Sequence, residues 1–336
     1  MHNLIKYSIV MKLRWENLRS VCPLWDERLD GYPGMDHLTT KRGYPAEYRH
    51  SPQEWLGAFV TSRGYQGGHV LTQTMRNPPQ NLRCPLWNRL SGVTQQQDEH
   101  VTESKRAYYG IAFRDDGRLE GIKARFLPAR GKPQPVLDSG EPWPSNVHAW
   151  AAATPVVWGG RVLSLSDIAP AVSDSPHLFD LRTSEARGKV AADVRRASRL
   201  NEVFRAHLHT TEEEAGLAIC AEAARPDADF PGGLARSSDY LHHAFGVAPD
   251  GVVIVVAHGR LEDIGALAAS AGATHAIVTE NGGSPQIGLR PVGGQFRPIV
   301  ESYYFREPSI AMIMYELSPD TVVFDGCAEL GSGQAG

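Results

Sequence analysis

The sequence predicts a mixed α/β fold: a central mixed β-sheet with flanking helices and a helical insert. Three observations carry that expectation. Val252 to Ala257 is an unbroken run of mostly β-branched apolar residues, the composition of a strand buried on both faces. Ile264 to Ala271 is an Ala-rich segment closed by Gly272, which reads as a short helix, and Thr274 to Thr279 then returns as an apolar strand. Val190, Val194, Ala197, Phe204 and Leu208 recur at helical spacing, with Arg195, Arg196 and Arg199 off that stripe on a solvated face.

The elements follow in chain order. Residues 1–107 are rich in Trp, Arg, Pro and Gly and show little helical periodicity, so they read as an irregular or strand-rich part of the same domain. Within them Cys22-Pro23-Leu24-Trp25 is echoed by Cys84-Pro85-Leu86-Trp87. Stacked repeats need about three units for stability, so a pair reads as two similar turns. Gln95 to Glu99 is an exposed loop, and Gly64 to His69 a flexible one that lacks the Lys-Ser/Thr of a phosphate loop. The core, residues 108–325, opens with a hairpin: Tyr108 to Phe113, the turn Asp115-Asp116-Gly117, and Leu119 to Phe126. Lys132 to Pro144 is Pro-rich and reads as loop. Ala149 to Trp158, the Gly159-Gly160 turn and Arg161 to Leu165 form a second hairpin.

The helical insert covers residues 174–236. Its second helix starts at Thr211, where Glu214 completes a capping box, and stops before Pro226. Phe245-Gly246-Val247 and the Pro249-Asp250-Gly251 turn lead into the valine run. Strand, helix and strand in this order predict a right-handed crossover with two parallel neighbours. The following Gly-rich loop then lies at the carboxyl edge of the sheet, where α/β proteins bind ligands. Ser309 to Leu317 is a last strand, and residues 326–336 a flexible tail.

Composition narrows the function. Apolar residues at 42% and charged residues at 21% suit a globular core. A formal net charge of −4 gives no basic field for phosphate backbones, so no nucleic-acid partner is expected. The longest apolar runs are too short to span a bilayer, so no membrane partner is expected either. Lys6, Lys12 and Arg14 crowd the apolar patch Tyr7 to Met11, and no small-residue cleavage site follows it, so the expected location is cytoplasmic. The four cysteines, Cys22, Cys84, Cys220 and Cys327, lack metal-ligand spacing and read as thiols, with a Cys22–Cys84 pair left open. The expected partner is a small-molecule substrate; the oligomeric state stays open.

The candidate site is the loop Glu280-Asn281-Gly282-Gly283-Ser284. Glu280 offers a general acid, base or metal ligand, Asn281 and Ser284 can orient hydroxyls, and Gly282 and Gly283 let backbone N–H groups approach an anion. A simple surface turn is the alternative. His242 and His243 precede a strand and can reach the loop as acid, base or anion ligands, while His258 and Arg260 follow the valine run. Arg260 either binds an anion or pairs with Glu262 or Asp263. His207 and His209 read as surface residues. No cofactor is expected, and Glu280 leaves a divalent metal open.

The order of these pieces carries a resemblance. Phe245-Gly246-Val247, Asp250-Gly251, the valine run ending in His258-Gly259-Arg260, Leu267-Ala268-Ala269 and Glu280 to Ser284 follow one another as in the phosphodiester glycosidase family. Ala153-Thr154-Pro155-Val156-Val157 with Gly160-Arg161-Val162 upstream, and Arg306 to Tyr315 downstream, are similar too. The resemblance covers about half the chain, mainly 108–165 and 240–317. Glu280 stands where the family has Asp, Asn281 where it has Gly, His242-His243 where it has Arg-Thr, and His258 where it has Asp. The resemblance implies an enzyme that cleaves or rearranges a glycosidic or phosphodiester-linked small molecule, repurposed for an intracellular metabolite. Glu280, His242, His243 and Ser284 are then catalytic, and Asn281, Gly282, Gly283, His258, Arg260 and Thr154 bind substrate. The alternative is a non-catalytic small-molecule or carbohydrate-binding protein on the same fold.

Overall fold

Short apolar runs joined by tight turns fold back on themselves, and among the described residues every paired strand is antiparallel to its neighbours. The structure is a computed structural model, and it describes residues 8–25, 68–75, 86–89, 92–93, 107–127, 134–164, 167, 241–281, 287–300 and 311–318.

The strands in chain order are β1 (Ser8–Arg14), β2 (Leu18–Trp25), β3 (His69–Met75), β4 (Leu86–Asn88), β5 (Gly92–Val93), β6 (Tyr108–Arg114) and β7 (Leu119–Leu127). Then come β8 (Gln134–Leu137), β9 (Val147–Ala152), β10 (Thr154–Trp158), β11 (Arg161–Val162), β12 (Leu241–Ala248) and β13 (Gly251–His258). The helix α1 (Leu261–Ser270) separates β13 from β14 (His275–Asn281), and β15 (Ile287–Arg290), β16 (Arg297–Val300) and β17 (Ala311–Leu317) complete the set. They form three sheets, ordered β1-β13-β12-β14-β10-β11, β16-β15-β3-β17-β2 and β5-β4-β9-β6-β7-β8.

This corrects the expected fold class. The chain is mostly β, with one α-helix among the described residues, and not a central mixed sheet flanked by helices. The valine run misleads because it is buried on both sides, which is the usual mark of a parallel strand. Here Val252, Ile254 and Val256 face the core shared by the three sheets, while Val253, Val255 and Ala257 face α1. An antiparallel strand sandwiched between two layers has the same composition. The expected parallel neighbours are also corrected: β12 inserts between β13 and β14 and runs against both.

The core explains the arrangement. Phe245, Ile254 and Ile277 from the first sheet meet Val70, Ile313 and Tyr315 from the second and Ile111 and Phe113 from the third. The third sheet buries its other face around Trp150, whose indole Nε1 donates to the Ile122 carbonyl at 3.2 Å. In α1, Leu261, Ile264, Gly265 and Ala268 make the helical stripe that lies on the first sheet, and Gly272, with φ at +93°, ends the turn that follows. The edge strand β1 lies along β13 from Ser8 opposite Ala257 to Arg14 opposite Gly251. Lys12 Nζ meets Asp250 at 2.8 Å, and holds that carboxyl below the usual carboxylate range.

The hairpins β6–β7 and β10–β11 occur as the turn residues predict, but the expected strand Ala149 to Trp158 is split into β9 and β10, which lie in different sheets, and β8 lies inside the stretch expected to be loop. The repeated Cys-Pro-Leu-Trp segments fall into different sheets, on β2 and just before and within β4. The helical insert 174–236, the loop 95–99, the tail 326–336, Cys84, His207 and His209 lie outside the described residues.

Candidate functional site

Antiparallel pairing brings one end of four strands to the same sheet edge. The carboxyl end of β13 supplies His258, the amino end of β12 supplies His242 and His243, the carboxyl end of β14 supplies Thr279, Glu280 and Asn281, and the amino end of β10 supplies Thr154. The register is specific. Leu241 lies opposite His258, His242 opposite both Ala257 and Asn281, His243 opposite both Val256 and Glu280, and Thr154 opposite Val278.

A bulge disturbs this ladder. Pairing passes from Ala244 opposite Val278 to His243 opposite Glu280, which leaves Thr279 as an additional residue on β14. The hydroxyl of Thr279 lies 3.0 Å from His243 Nδ1. His243 shares the face of Phe245, towards the inter-sheet core, and His242 shares the face of Ala244, towards the helix layer. The adjacent histidines therefore serve opposite sides of one sheet.

Both are buried. Desolvation pushes the His243 imidazole down to about 3, so the ring is neutral at neutral pH. Its Nε2 has no protein hydrogen-bond partner. His258 is half-buried at the strand end, and Thr154 is buried at the start of β10. Arg260 precedes α1 and directs its guanidinium onto Asp263, with Nε to Oδ2 at 3.1 Å and a second guanidinium nitrogen to Oδ1 at 3.2 Å. The Arg260 hydrogen bond holds the Asp263 carboxyl below its usual range. Of the two roles open to Arg260, the structure displays the ion pair.

Glu280 and Asn281 are located through their strand positions, and Gly282, Gly283 and Ser284 lie outside the described residues. Sequence reasoning missed Thr279, and named Asp263 as one of two partners open to Arg260. Thr279 was marked by being the first polar residue after Ile277-Val278. Among the described residues, no group of three or more His, Cys, Asp or Glu side chains is arranged to hold a metal ion. No described helix is long and apolar enough to cross a membrane.

No protein-family model matches this chain, and no curated protein matches it. Among solved structures, the catalytic domain of zebrafish N-acetylglucosamine-1-phosphodiester alpha-N-acetylglucosaminidase, auto-inhibited by its pro-peptide, is similar at 10% identity and a TM-score of 0.39. That alignment covers 94% of this chain and 84% of the other. A hypothetical protein from Synechocystis is similar at 11% identity and a TM-score of 0.36, over 92% of this chain and 59% of the other. These likenesses are distant and carry no functional argument. The functional reading rests on the strand edge itself.

Proposed function

We propose that this chain is an enzyme that cleaves or rearranges a glycosidic or phosphodiester-linked small molecule at the edge shared by β10, β12, β13 and β14. The observation that carries the reading is the register that sets His243 opposite Glu280 and His242 opposite Asn281. A carboxylate residue is thereby rooted beside a neutral imidazole and a hydroxyl, at the start of a Gly-rich loop. Glu280 transfers the proton, Asn281 and Ser284 orient substrate hydroxyls, and the Gly282 and Gly283 amides receive developing negative charge. His242, on the helix side of the sheet, has no step in this scheme. His243 is a positioning residue in this scheme, because a ring that stays neutral near pH 7 accepts or donates a hydrogen bond without carrying a charge. His258 and Thr154 bind substrate at the two sides of the edge. No cofactor is invoked, and chelation of divalent metal before assay tests for one.

A panel of sugar phosphodiesters and small-molecule glycosides, incubated with the protein and read by mass spectrometry, tests the reading. Turnover of one class, lost in Glu280→Gln, supports it. Full turnover in that variant removes Glu280 from the chemistry.

One observation favours a second reading, a non-catalytic binding protein. The burial that keeps His243 uncharged also removes it as a proton donor near neutrality. Binding of panel members without any turnover, unchanged in Glu280→Gln, supports that alternative.

A further inference from the structure

A single proton is shared between His243 Nδ1 and Thr279 Oγ1, 3.0 Å apart, and either partner can own it. If the hydroxyl donates, the neutral ring carries its proton on Nε2. That nitrogen is wholly buried and has no hydrogen-bond partner among the described residues, so a donor then stands unpaired in the core. If the ring donates through Nδ1–H, Nε2 holds only a lone pair there, and the hydroxyl keeps its own proton for another acceptor. Folded proteins leave buried acceptors underused more readily than they leave buried N–H groups orphaned. The balance of donors therefore selects the Nδ1–H ring. A ring protonated on both nitrogens does not compete near pH 7, because burial holds its pKa down to about 3.

The two partners differ in access. His243 is wholly buried, whereas Thr279 is half-buried, beside Glu280 and two residues before Asn281 ends β14 at the shared edge. The ring N–H occupies one lone pair of Oγ1, so the O–H bond turns away from the ring. Among the described residues, that hydroxyl bonds to no group besides His243 Nδ1.

A contrasting pair stands at the other end of β14. Thr274 Oγ1 lies 3.2 Å from His275 Nδ1, but it donates its proton to the Val247 carbonyl at 3.1 Å. That hydroxyl has no proton left for a ligand. Thr279, at the site end of the same strand, has one.

We propose that Thr279 donates its hydroxyl proton to an acceptor oxygen of the substrate, and that His243, through Nδ1–H, is the positioning residue that turns this proton outward. This rests on the enzymatic reading above and adds a substrate contact, its direction, and a reason for a neutral histidine buried behind the edge.

Two measurements test it. A long-range 1H–15N correlation spectrum at pH 7 reads the tautomer, with the His243 signals assigned by their absence from His243→Gln. Nδ1 protonated and Nε2 bare is the expected result. A ring protonated on Nε2 overturns the proposal without any assay, because the Thr279 proton is then held by Nδ1. The second measurement is kcat/KM for Thr279→Val and Thr279→Ser on the panel member converted fastest, at a temperature where all three proteins are folded. Valine keeps the branched shape and is expected to lose about tenfold, the scale of one neutral hydrogen bond, while serine keeps the hydroxyl and stays within about threefold. Unchanged kcat/KM in Thr279→Val overturns the inference. Equal losses in both variants overturn it too, since shape and not the hydroxyl then matters. Full activity of Thr279→Val together with lost activity of Glu280→Gln sinks this inference alone and leaves the enzymatic reading standing. Absence of turnover across the whole panel overturns both.

Discussion

Thr279 Oγ1 stands 3.0 Å from His243 Nδ1, at the point where β14 carries one residue more than β12. Val278 faces the helix layer, so alternation turns the next residue, Thr279, to the core side that His243 shares. The hydroxyl holds the ring at the base of the candidate site, and the bulge sets Glu280 opposite His243.

Thr279→Val should therefore leave both ring nitrogens of a buried imidazole without a partner. The expected cost is about 1–2 kcal/mol, read as a lower urea midpoint at pH 7 with an unchanged m-value. A midpoint equal to that of the starting protein would show that the hydrogen bond contributes nothing.

Acid should destabilise the fold through His243. Its folded value lies near 3 and its ordinary value is 6.5, so between those limits the unfolded chain binds a proton that the folded chain refuses. Stability from this residue is level above about pH 6.5 and falls by up to about 1.4 kcal/mol per pH unit as the pH drops towards 3. Urea titrations from pH 7 to pH 4 should show that slope. His243→Gln should have a shallower slope by about one proton, whatever its stability at pH 7.

The seat of α1 on the first sheet should tolerate no added methyl. A Cβ on Gly265 would stand 2.5 Å from the Val156 carbonyl oxygen, a backbone atom that cannot rotate away. In a solvent-facing helix, Gly→Ala gains up to about 1 kcal/mol; Gly265→Ala should instead lose about 1–3 kcal/mol. Thermal unfolding decides the sign.

Arg260 should matter little for ligand binding. Its guanidinium is engaged by Asp263 and half-exposed, so Arg260→Gln should cost less than about 1 kcal/mol of stability. Affinity for hexose 1-phosphates should be unchanged. A large loss of that affinity would return Arg260 to an anion-binding role.

What was legible in the sequence follows the range of the forces involved. The hairpins β6–β7 and β10–β11 and the helix α1 are written in local signals: Asp-Asp-Gly and Gly-Gly turns, and an apolar stripe ended by Gly272. The β12–β13 hairpin is equally local, turning at Pro249-Asp250. Sheet membership is not local. Ser8 to Arg14 joins Gly251 to Ala257 across most of the chain, and β12 separates two strands whose sequence alone reads as adjacent. Periodicity reports which faces of a strand are buried, not which strand covers them. For the site, His242, His243 and Glu280 were selected from order and spacing, and pairing places their strand positions side by side. The difference between the two histidines was not legible, because it follows from which layer covers each face of β12.

The shared edge as a reaction centre is tested most directly by kcat/KM for the starting protein and for Glu280→Gln, on the most rapidly converted member of the phosphodiester and glycoside panel. The account predicts a loss of about a hundredfold or more at an unchanged unfolding midpoint, the scale of losing a general acid or base. Equal kcat/KM for the two proteins would contradict it.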